Sequence, residues 1–310
     1  MTVGRFAPSP TGDLHLGSAL AALGAWASAR SQGGRFLWRI ENLDGPREVP
    51  GAAERQREDA RWLGLDWDAE PVRQSERGGR YDAALARLAS AGRLFPCRVS
   101  RSDLKALASA PHGPGLPPYP AALRPSDLAP GWFDDPASWA DAALRFRVAP
   151  GTVCWEDGVL GPQCQDVAAE VGDVVLRRRD GLVAYQLAVV VDDLAQGVTE
   201  VVRGQDLVDS TARQVQLVRA LGGAVPTYAH LPLVHAADGD KLSKRDGALS
   251  VRALRQCGVA PEALVGWLAA ALGQGDGTPC TPAEVAASFE MRRVRPDPVV
   301  APDDLAARLR

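Results

Sequence analysis

Lysine is nearly absent from this 310-residue chain: three lysines stand against thirty-two arginines, and two of the three, Lys241 and Lys244, fall in the pentapeptide Lys241-Leu242-Ser243-Lys244-Arg245. A lysine carries a compact point charge on a flexible stem, whereas arginine presents a rigid planar fork. Lysine kept where arginine is the default therefore marks a place for a mobile ammonium. Asp238-Gly239-Asp240 precedes the pair and reads as a turn, so the lysines sit on a loop, although a solvated surface turn has the same composition. A second stretch, His15-Leu16-Gly17-Ser18, follows the turn Pro8-Ser9-Pro10-Thr11-Gly12 and opens a helix. Free N–H groups and the positive end of the helix dipole favour a polyphosphate there. The imidazole donates to phosphate oxygens, and the glycine lets a flat base lie against bare backbone. Alone, such a histidine is more often a polar cap. Paired with a lysine loop, it suits attack on the α-phosphate of ATP, in which charge grows on the departing pyrophosphate and fixed cations stabilise it. A loop also closes over ATP and opens for release.

The elements that must hold these groups follow from periodicity. Val3 to Pro8 reads as a short strand, Leu16, Leu20, Leu23 and Trp26 recur at helical spacing, and Arg35 to Ile40 alternates like a second strand. Ala52 to Leu65 reads as a helix that stops at Gly64. Strand, crossover helix and parallel strand within so short a span open a dinucleotide-type α/β unit. Prolines and glycines crowd 111–136, which reads as an insertion. Val174-Val175-Leu176 reads as a strand. Leu187-Ala188-Val189-Val190-Val191, ahead of Asp192-Asp193, is expected to be a strand buried on both faces, as in a parallel sheet. Beyond about residue 246 the pattern is helical, most clearly over Pro261 to Leu272.

Bulk properties exclude several classes. Apolar residues make up 46% and charged residues 24%, the balance of an ordinary globular protein. A net charge of -3 supplies no global basic field for nucleic acid, so an RNA partner needs a local basic surface such as that around Arg177-Arg178-Arg179, a triplet that equally suits a solvated face. No secretory leader is visible, and no apolar run approaches the roughly 20 residues of a membrane span. Five scattered cysteines (Cys97, Cys154, Cys164, Cys257, Cys280) are odd in number; the expectation is free thiols in a reducing cytoplasm, with no disulfide framework.

Taken together, Arg5-Phe6-Ala7-Pro8-Ser9-Pro10-Thr11-Gly12 and His15-Leu16-Gly17-Ser18 resemble the "HIGH" signature of class I aminoacyl-tRNA synthetases, and Lys241-Leu242-Ser243-Lys244-Arg245 resembles their "KMSKS" signature. Arg39-Ile40-Glu41-Asn42-Leu43-Asp44, Tyr185 to Asp193 and Val202-Arg203-Gly204-Gln205-Asp206 are similar to the glutamate-specific branch. Only 65 residues follow Arg245, too few for the long anticodon-binding region of a full glutamyl-tRNA synthetase, so the resemblance is to the truncated glutamyl-Q tRNA(Asp) synthetase family. That resemblance implies an α/β fold: a class I synthetase Rossmann-type parallel sheet, split by an insertion subdomain, with a helical C-terminal region. The expected divisions are 1–95 for the first Rossmann half, 96–172 for the insertion, 173–236 for the second half, and 237–310 for the lysine loop and C-terminal helices.

The same resemblance implies a ligase that activates L-glutamate with ATP and transfers it to the queuosine base of the tRNA(Asp) anticodon. Acceptor-end charging, or an inert RNA-binding paralogue, are the competing readings. It implies that Arg5 and Arg203 hold the side-chain carboxylate of glutamate, that Tyr185, Phe6, Ala7, Pro8 and Ser9 line its pocket, and that Glu41 takes the α-ammonium. His15, Gly17 and Ser18 would face ATP, and Lys244, helped by Lys241, would neutralise its phosphates. Ser18 stands where the signature has its second histidine, and its short hydroxyl still donates to phosphate. Magnesium is expected with ATP. The expected partners are L-glutamate, ATP and queuosine-bearing tRNA(Asp), with no membrane, on a monomeric cytoplasmic protein.

Many family members hold zinc with a Cys-x-Cys pair, a tyrosine and a further cysteine four residues on. Here Cys97 and Tyr119 remain, but Val99 and Leu123 replace the other two, and His112 is the nearest alternative donor in sequence. Structural zinc takes four protein ligands, so no metal is expected. The subdomain is expected to be held by packing of Leu94, Phe95, Leu104, Leu116 and the prolines.

Overall fold

The computed structural model describes residues 1–100, 102–103, 118–237 and 249–310. Lys105, Lys241, Lys244, Leu104, His112 and Leu116 lie outside them. In chain order the strands are β1 (Val3–Phe6), β2 (Arg35–Ile40), β3 (Val72–Arg73), β4 (Leu94–Cys97), β5 (Ala143–Phe146), β6 (Val153–Asp157), β7 (Gly161–Gln165), β8 (Val174–Arg177), β9 (Glu200–Gly204), β10 (Thr227–Leu231), β11 (Val234–His235) and β12 (Val299–Val300). The helices are α1 (Leu16–Ser31), α2 (Ala52–Trp62), α3 (Gly78–Ser90), α4 (Val167–Glu170), α5 (Tyr185–Gln196), α6 (Val208–Ala220), α7 (Val251–Gln256), α8 (Pro261–Ala271), α9 (Pro282–Ala287) and α10 (Leu305–Arg308).

Parallel pairing runs β1-β2-β3 in one sheet and β6-β10-β9 in another, with β7 added antiparallel at the β6 edge. The two sheets meet where β9 begins beside β1: the Thr199 amide donates to the Val3 carbonyl at 3.0 Å, and the Val3 amide to Thr199 Oγ1 at 2.9 Å. Helix α1 crosses over this seam. Its residues are buried on nearly every side, among them Leu16, Leu20, Leu23 and Trp26, because β1 and β9 cover one face while α8 and α9 cover another. A helix apolar all round is one enclosed by other elements. Close approach demands Gly24, where a Cβ would come within 2.5 Å of Leu231 Cδ1 on β10.

A separate, antiparallel sheet of order β4-β5-β8 packs with α3, α5 and α6 around Leu85, Leu88, Leu144, Phe146, Val189 and Val215. The β6-β7 hairpin falls between β5 and β8 in sequence but pairs with β10 of the β6-β10-β9 sheet.

Two expectations fail. Leu187 to Val191 is the interior of helix α5, with every residue from Leu187 to Asp193 buried. A short β-branched run has no period of its own when all its faces are covered, so strand and helix read alike. The deciding signals flank it: Gly197 takes the left-handed C-cap position at φ +67°, and Asp192 and Asp193 are buried only because they find cations. The cysteines also differ from expectation. Cys154 on β6 and Cys164 on β7 are register partners across the hairpin and form a disulfide, while Cys97, Cys257 and Cys280 are free. The ten-residue spacing gave no sign of this until the hairpin turned the two strands face to face. Among the described residues, no helix is long and apolar enough to cross a membrane.

Candidate active site

A cleft of about 400 Å³ opens at the carboxyl ends of β1, β2 and β9, where a doubly wound sheet receives ligands. It is lined by Arg5, Phe6, Ala7, Pro8, Ser9, His15, Gly17, Ser18, Glu41, Tyr185 and Arg203. The structure thus brings together every predicted site residue that it describes; Lys241 and Lys244 lie outside the described residues. Ala21, Val202, Gly204, Asp206, Leu207, Pro232, Leu233 and Val234 complete the wall.

Three guanidinium groups converge below the cleft floor, and their partners differ. Arg39, fully buried, donates from Nη1 to Asp193 Oδ1 and to Gln196 Oε1, both at 2.8 Å. Arg5, 4% exposed, shares the same Asp193 oxygen through Nε at 3.3 Å and donates from Nη1 to the Val202 carbonyl at 3.3 Å. Burial opposes charge on Asp193, but Arg39 and Arg5 outweigh it and hold the carboxyl below its ordinary range. Arg203, 5% exposed, meets only neutral acceptors: His230 Nε2 at 3.1 Å, Gln214 Oε1 at 2.7 Å, Thr211 Oγ1 at 2.9 Å and the Leu207 carbonyl at 3.2 Å. No carboxylate lies within 4.0 Å of it among the described residues. A buried cation without a counter-charge is costly, and this one faces an open cleft. Arg5 uses two of its five N–H donors, leaving three, and Arg203 uses four, leaving one, among the described residues. Together these match the acceptor sites of a carboxylate.

Glu41 follows β2 directly and is held in place by its amide, which donates to the Pro8 carbonyl at 3.1 Å. Burial pushes its carboxyl above the ordinary range, against the opposing pull of Arg39 and Arg5. Tyr185 opens α5, and burial pushes its phenol up too, with Arg203 pulling it down. The two side chains give the cleft a carboxyl acceptor and a neutral phenol beside its cations.

His15 caps α1, its Nδ1 accepting from the Ser18 amide at 3.2 Å, with Ser18 Oγ 3.0 Å from Nε2. A Cβ on Gly17 would stand 3.2 Å from the His15 ring, so glycine keeps this helix entrance open. The backbone of His15 also bridges Ser250, and the Val251 amide donates to the Leu14 carbonyl at 2.8 Å. Val234, a few residues before the lysine-bearing segment, lines the same cleft. The described residues on both sides of that segment are therefore anchored at the site.

At the former zinc positions, Val99 and Leu123 pack with Leu128 against buried Phe95, Cys97 and Tyr119. The Cys97 thiol donates to Tyr119 Oη at 3.6 Å, and that hydroxyl donates to the Leu123 carbonyl at 3.0 Å. Burial holds the Tyr119 phenol well above its ordinary range. Apolar side chains stand where donors would be, and the remaining pair bonds to itself, so these residues do not fit a zinc ion. Among the described residues no group of three His, Cys, Asp or Glu side chains is arranged to hold a metal.

The sequence reading missed Arg39, Asp193, His230 and Asp157. Arg39 and Asp193 lay inside quoted motifs, and burial of two opposite charges was the signal available. His230 and Asp157 belong to no motif.

The model of class I tRNA synthetases (E and Q), catalytic domain, matches residues 1–295. A glutamyl-Q tRNA(Asp) synthetase of Symbiobacterium thermophilum is 46% identical over the whole chain and 98% of its own length. One of Geobacter sulfurreducens is 53% identical over 82% of this chain and 78% of its own. A solved glutamate tRNA ligase of Elizabethkingia meningosepticum, crystallised in complex with its amino acid, superposes with a TM-score of 0.83 at 26% identity, covering 99% of this chain and 68% of that one. With its parallel sheet, its histidine-capped first helix and likeness of this extent, the chain belongs to the class I aminoacyl-tRNA synthetases, within the glutamyl-Q tRNA(Asp) synthetase family.

Proposed function

We propose that the protein activates L-glutamate with ATP and transfers the glutamyl group to the queuosine base in the anticodon of tRNA(Asp). The observation that carries this reading is Arg203, a buried guanidinium with only neutral partners, beside Arg5 in a cleft that also holds Glu41 and the start of α1. The side-chain carboxylate of glutamate supplies the missing counter-charge, and Glu41 receives the α-ammonium. Glutamine presents a neutral amide and leaves Arg203 uncompensated, which disfavours it.

The α-carboxylate then lies toward the His15–Ser18 turn. One of its oxygens attacks the α-phosphorus of ATP, the bond to the bridging oxygen breaks, and pyrophosphate leaves. His15, Gly17 and Ser18 hold the nucleotide at the helix start, where free N–H groups face its phosphates. Lys244 and Lys241 neutralise the charge growing on pyrophosphate. Magnesium enters with the ATP phosphates. In the second step a queuosine hydroxyl attacks the glutamyl carbonyl, loses its proton, and AMP leaves. The reading includes action in the cytoplasm and as a monomer.

Glutamate-dependent ATP–pyrophosphate exchange tests activation, with Lys244→Ala expected to lose rate while keeping its fold. An equal rate in Lys244→Ala would remove that lysine from the mechanism. Charging of tRNA(Asp) with and without queuosine tests the acceptor: glutamate attached equally to both would instead favour the acceptor end.

A further inference from the structure

Behind Arg203 lies a buried chain that no part of the proposed chemistry touches. His230 on β10 is fully buried and does not line the cleft. Its Nε2 is approached by two donors, Arg203 Nε at 3.1 Å and the Thr211 hydroxyl at 3.3 Å. A ring nitrogen facing two donors carries a lone pair, so the proton sits on Nδ1. Nδ1 in turn meets Asp157 Oδ2 in a short hydrogen bond. Asp157 is fixed independently: its Oδ1 accepts from the amides of Val159, Leu160 and His230, each at 3.1 Å, where it closes the β6-β7 turn. Each link thus determines the next, from a turn-locked carboxylate, through one imidazole tautomer, to one guanidinium direction.

We infer that Asp157 and His230 are positioning residues that fix the aim of Arg203, and through it set the affinity for glutamate and its discrimination from glutamine. The inference rests on the activation reading above. Only the neutral imidazole accepts from Arg203; an imidazolium would turn an N–H toward a guanidinium and repel it. The charged and titratable groups facing the ring are Asp157 from the β6-β7 turn, Arg203 on β9, Arg5 on β1 and Tyr228 on its own strand. Burial lowers the proton affinity of His230, Asp157 raises it, and Arg203 and Arg5 lower it further, with a net fall below the ordinary histidine range. Burial pushes the Tyr228 phenol up to about 12, so it stays neutral throughout.

The test is exchange kinetics with glutamate and glutamine on wild type, His230→Ala and His230→Gln, from neutral pH down to about pH 5. His230→Ala is expected to raise KM for glutamate by about tenfold to a hundredfold, the effect of losing a hydrogen bond to a charged group, with kcat changed by no more than about threefold. His230→Gln keeps a neutral oxygen for Arg203 and is expected to restore most of the affinity. In wild type, KM climbs as pH falls below the ordinary histidine range; in His230→Gln the climb is smaller and keeps only the part that protonation of Glu41 adds. A folded His230→Ala with unchanged KM, or a climb of equal size in wild type and His230→Gln, overturns the relay. Ring ¹⁵N shifts of His230 in the wild-type protein need no substitution and no glutamate. A neutral Nδ1–H tautomer supports the relay, and an Nε2–H tautomer or an imidazolium at neutral pH overturns it. Wild type without glutamate-dependent exchange would instead sink the activation reading, and the ring measurement tells the two failures apart.

Discussion

Asp193 is the carboxylate on which the cationic floor of the cleft depends, and removing it gives the most quantitative test of the site's electrostatics. One oxygen, Oδ1, accepts from both Arg39 and Arg5. Asp193→Ala strips the nearest counter-charge from two buried guanidinium groups. Breaking a buried pair by deleting one partner costs about 3–5 kcal/mol. For a chain of this length, unfolding entropy of roughly 2.1 cal/mol/K per residue gives about 0.65 kcal/mol/K, so Tm should fall by about 5–8 °C. Asp193→Asn keeps an oxygen for both arginines and loses only the charge, so its loss should be smaller. Arg39 and Arg5 overcome burial and hold the folded-state carboxyl below its ordinary value. Its stabilisation is therefore present above the unfolded value of about 3.9 and lost as pH falls through the lower folded value. Calorimetric Tm values for wild type and Asp193→Asn should differ by a constant amount from neutrality to about pH 4 and converge below it. KM for glutamate should rise in both variants, because Arg5 loses the contact that orients its Nε. A Tm for Asp193→Ala within about 1 °C of wild type, or a pH-independent gap for Asp193→Asn, would show that Arg39 and Arg5 do not need this charge.

Glu41→Gln removes the proposed ammonium acceptor and should raise KM for glutamate by roughly tenfold to a hundredfold with little change in Tm. Because burial raises the proton affinity of Glu41, calorimetric titration of wild type should show glutamate affinity falling, as the medium is acidified, at a higher pH than an ordinary glutamate would give. Replacing Val99 and Leu123 together by cysteine restores a four-donor set with Cys97 and Tyr119; the double variant should bind one zinc ion by metal analysis where wild type gains none, and a variant that stays metal-free would show that the backbone has drifted from ligand geometry. Reducing the Cys154–Cys164 bond opens a loop of about ten residues, and the loop-closure estimate of roughly 2–3 kcal/mol corresponds to a Tm lower by about 3–5 °C in dithiothreitol.

The legible part of this protein is the part where chemistry and local structure share one short stretch. Arg5 to Ser18 encodes a strand, a turn and a capped helix, and each of those elements aims the same residues that would handle substrate. The strand, turn and helix start that open the first α/β unit, and one side of the cleft wall, were readable from it. Helix α5 was unreadable for a converse reason. Covered on all sides, it needs no polar face, and an amphipathic period exists only where one face meets water. Cys154 and Cys164 failed to read as a pair because a hairpin register, and not a spacing rule, set them opposite each other.

His230 and Asp157 were illegible in the sequence for a related physical reason. A residue that touches substrate tends to sit in a run of neighbours that also touch it, and such a run has a pattern. A residue that only aims another meets it through space, across β6, β9 and β10, and nothing adjacent in sequence shares the task. Burial is what gives such residues away. A histidine and a carboxylate with no exposed side-chain surface are retained only when each hydrogen-bonding group is answered. Here the answers run in one direction, toward the guanidinium at the cleft. Selectivity for an acidic amino acid therefore depends on groups that never meet it, because an arginine can distinguish carboxylate from amide only while its own direction is fixed.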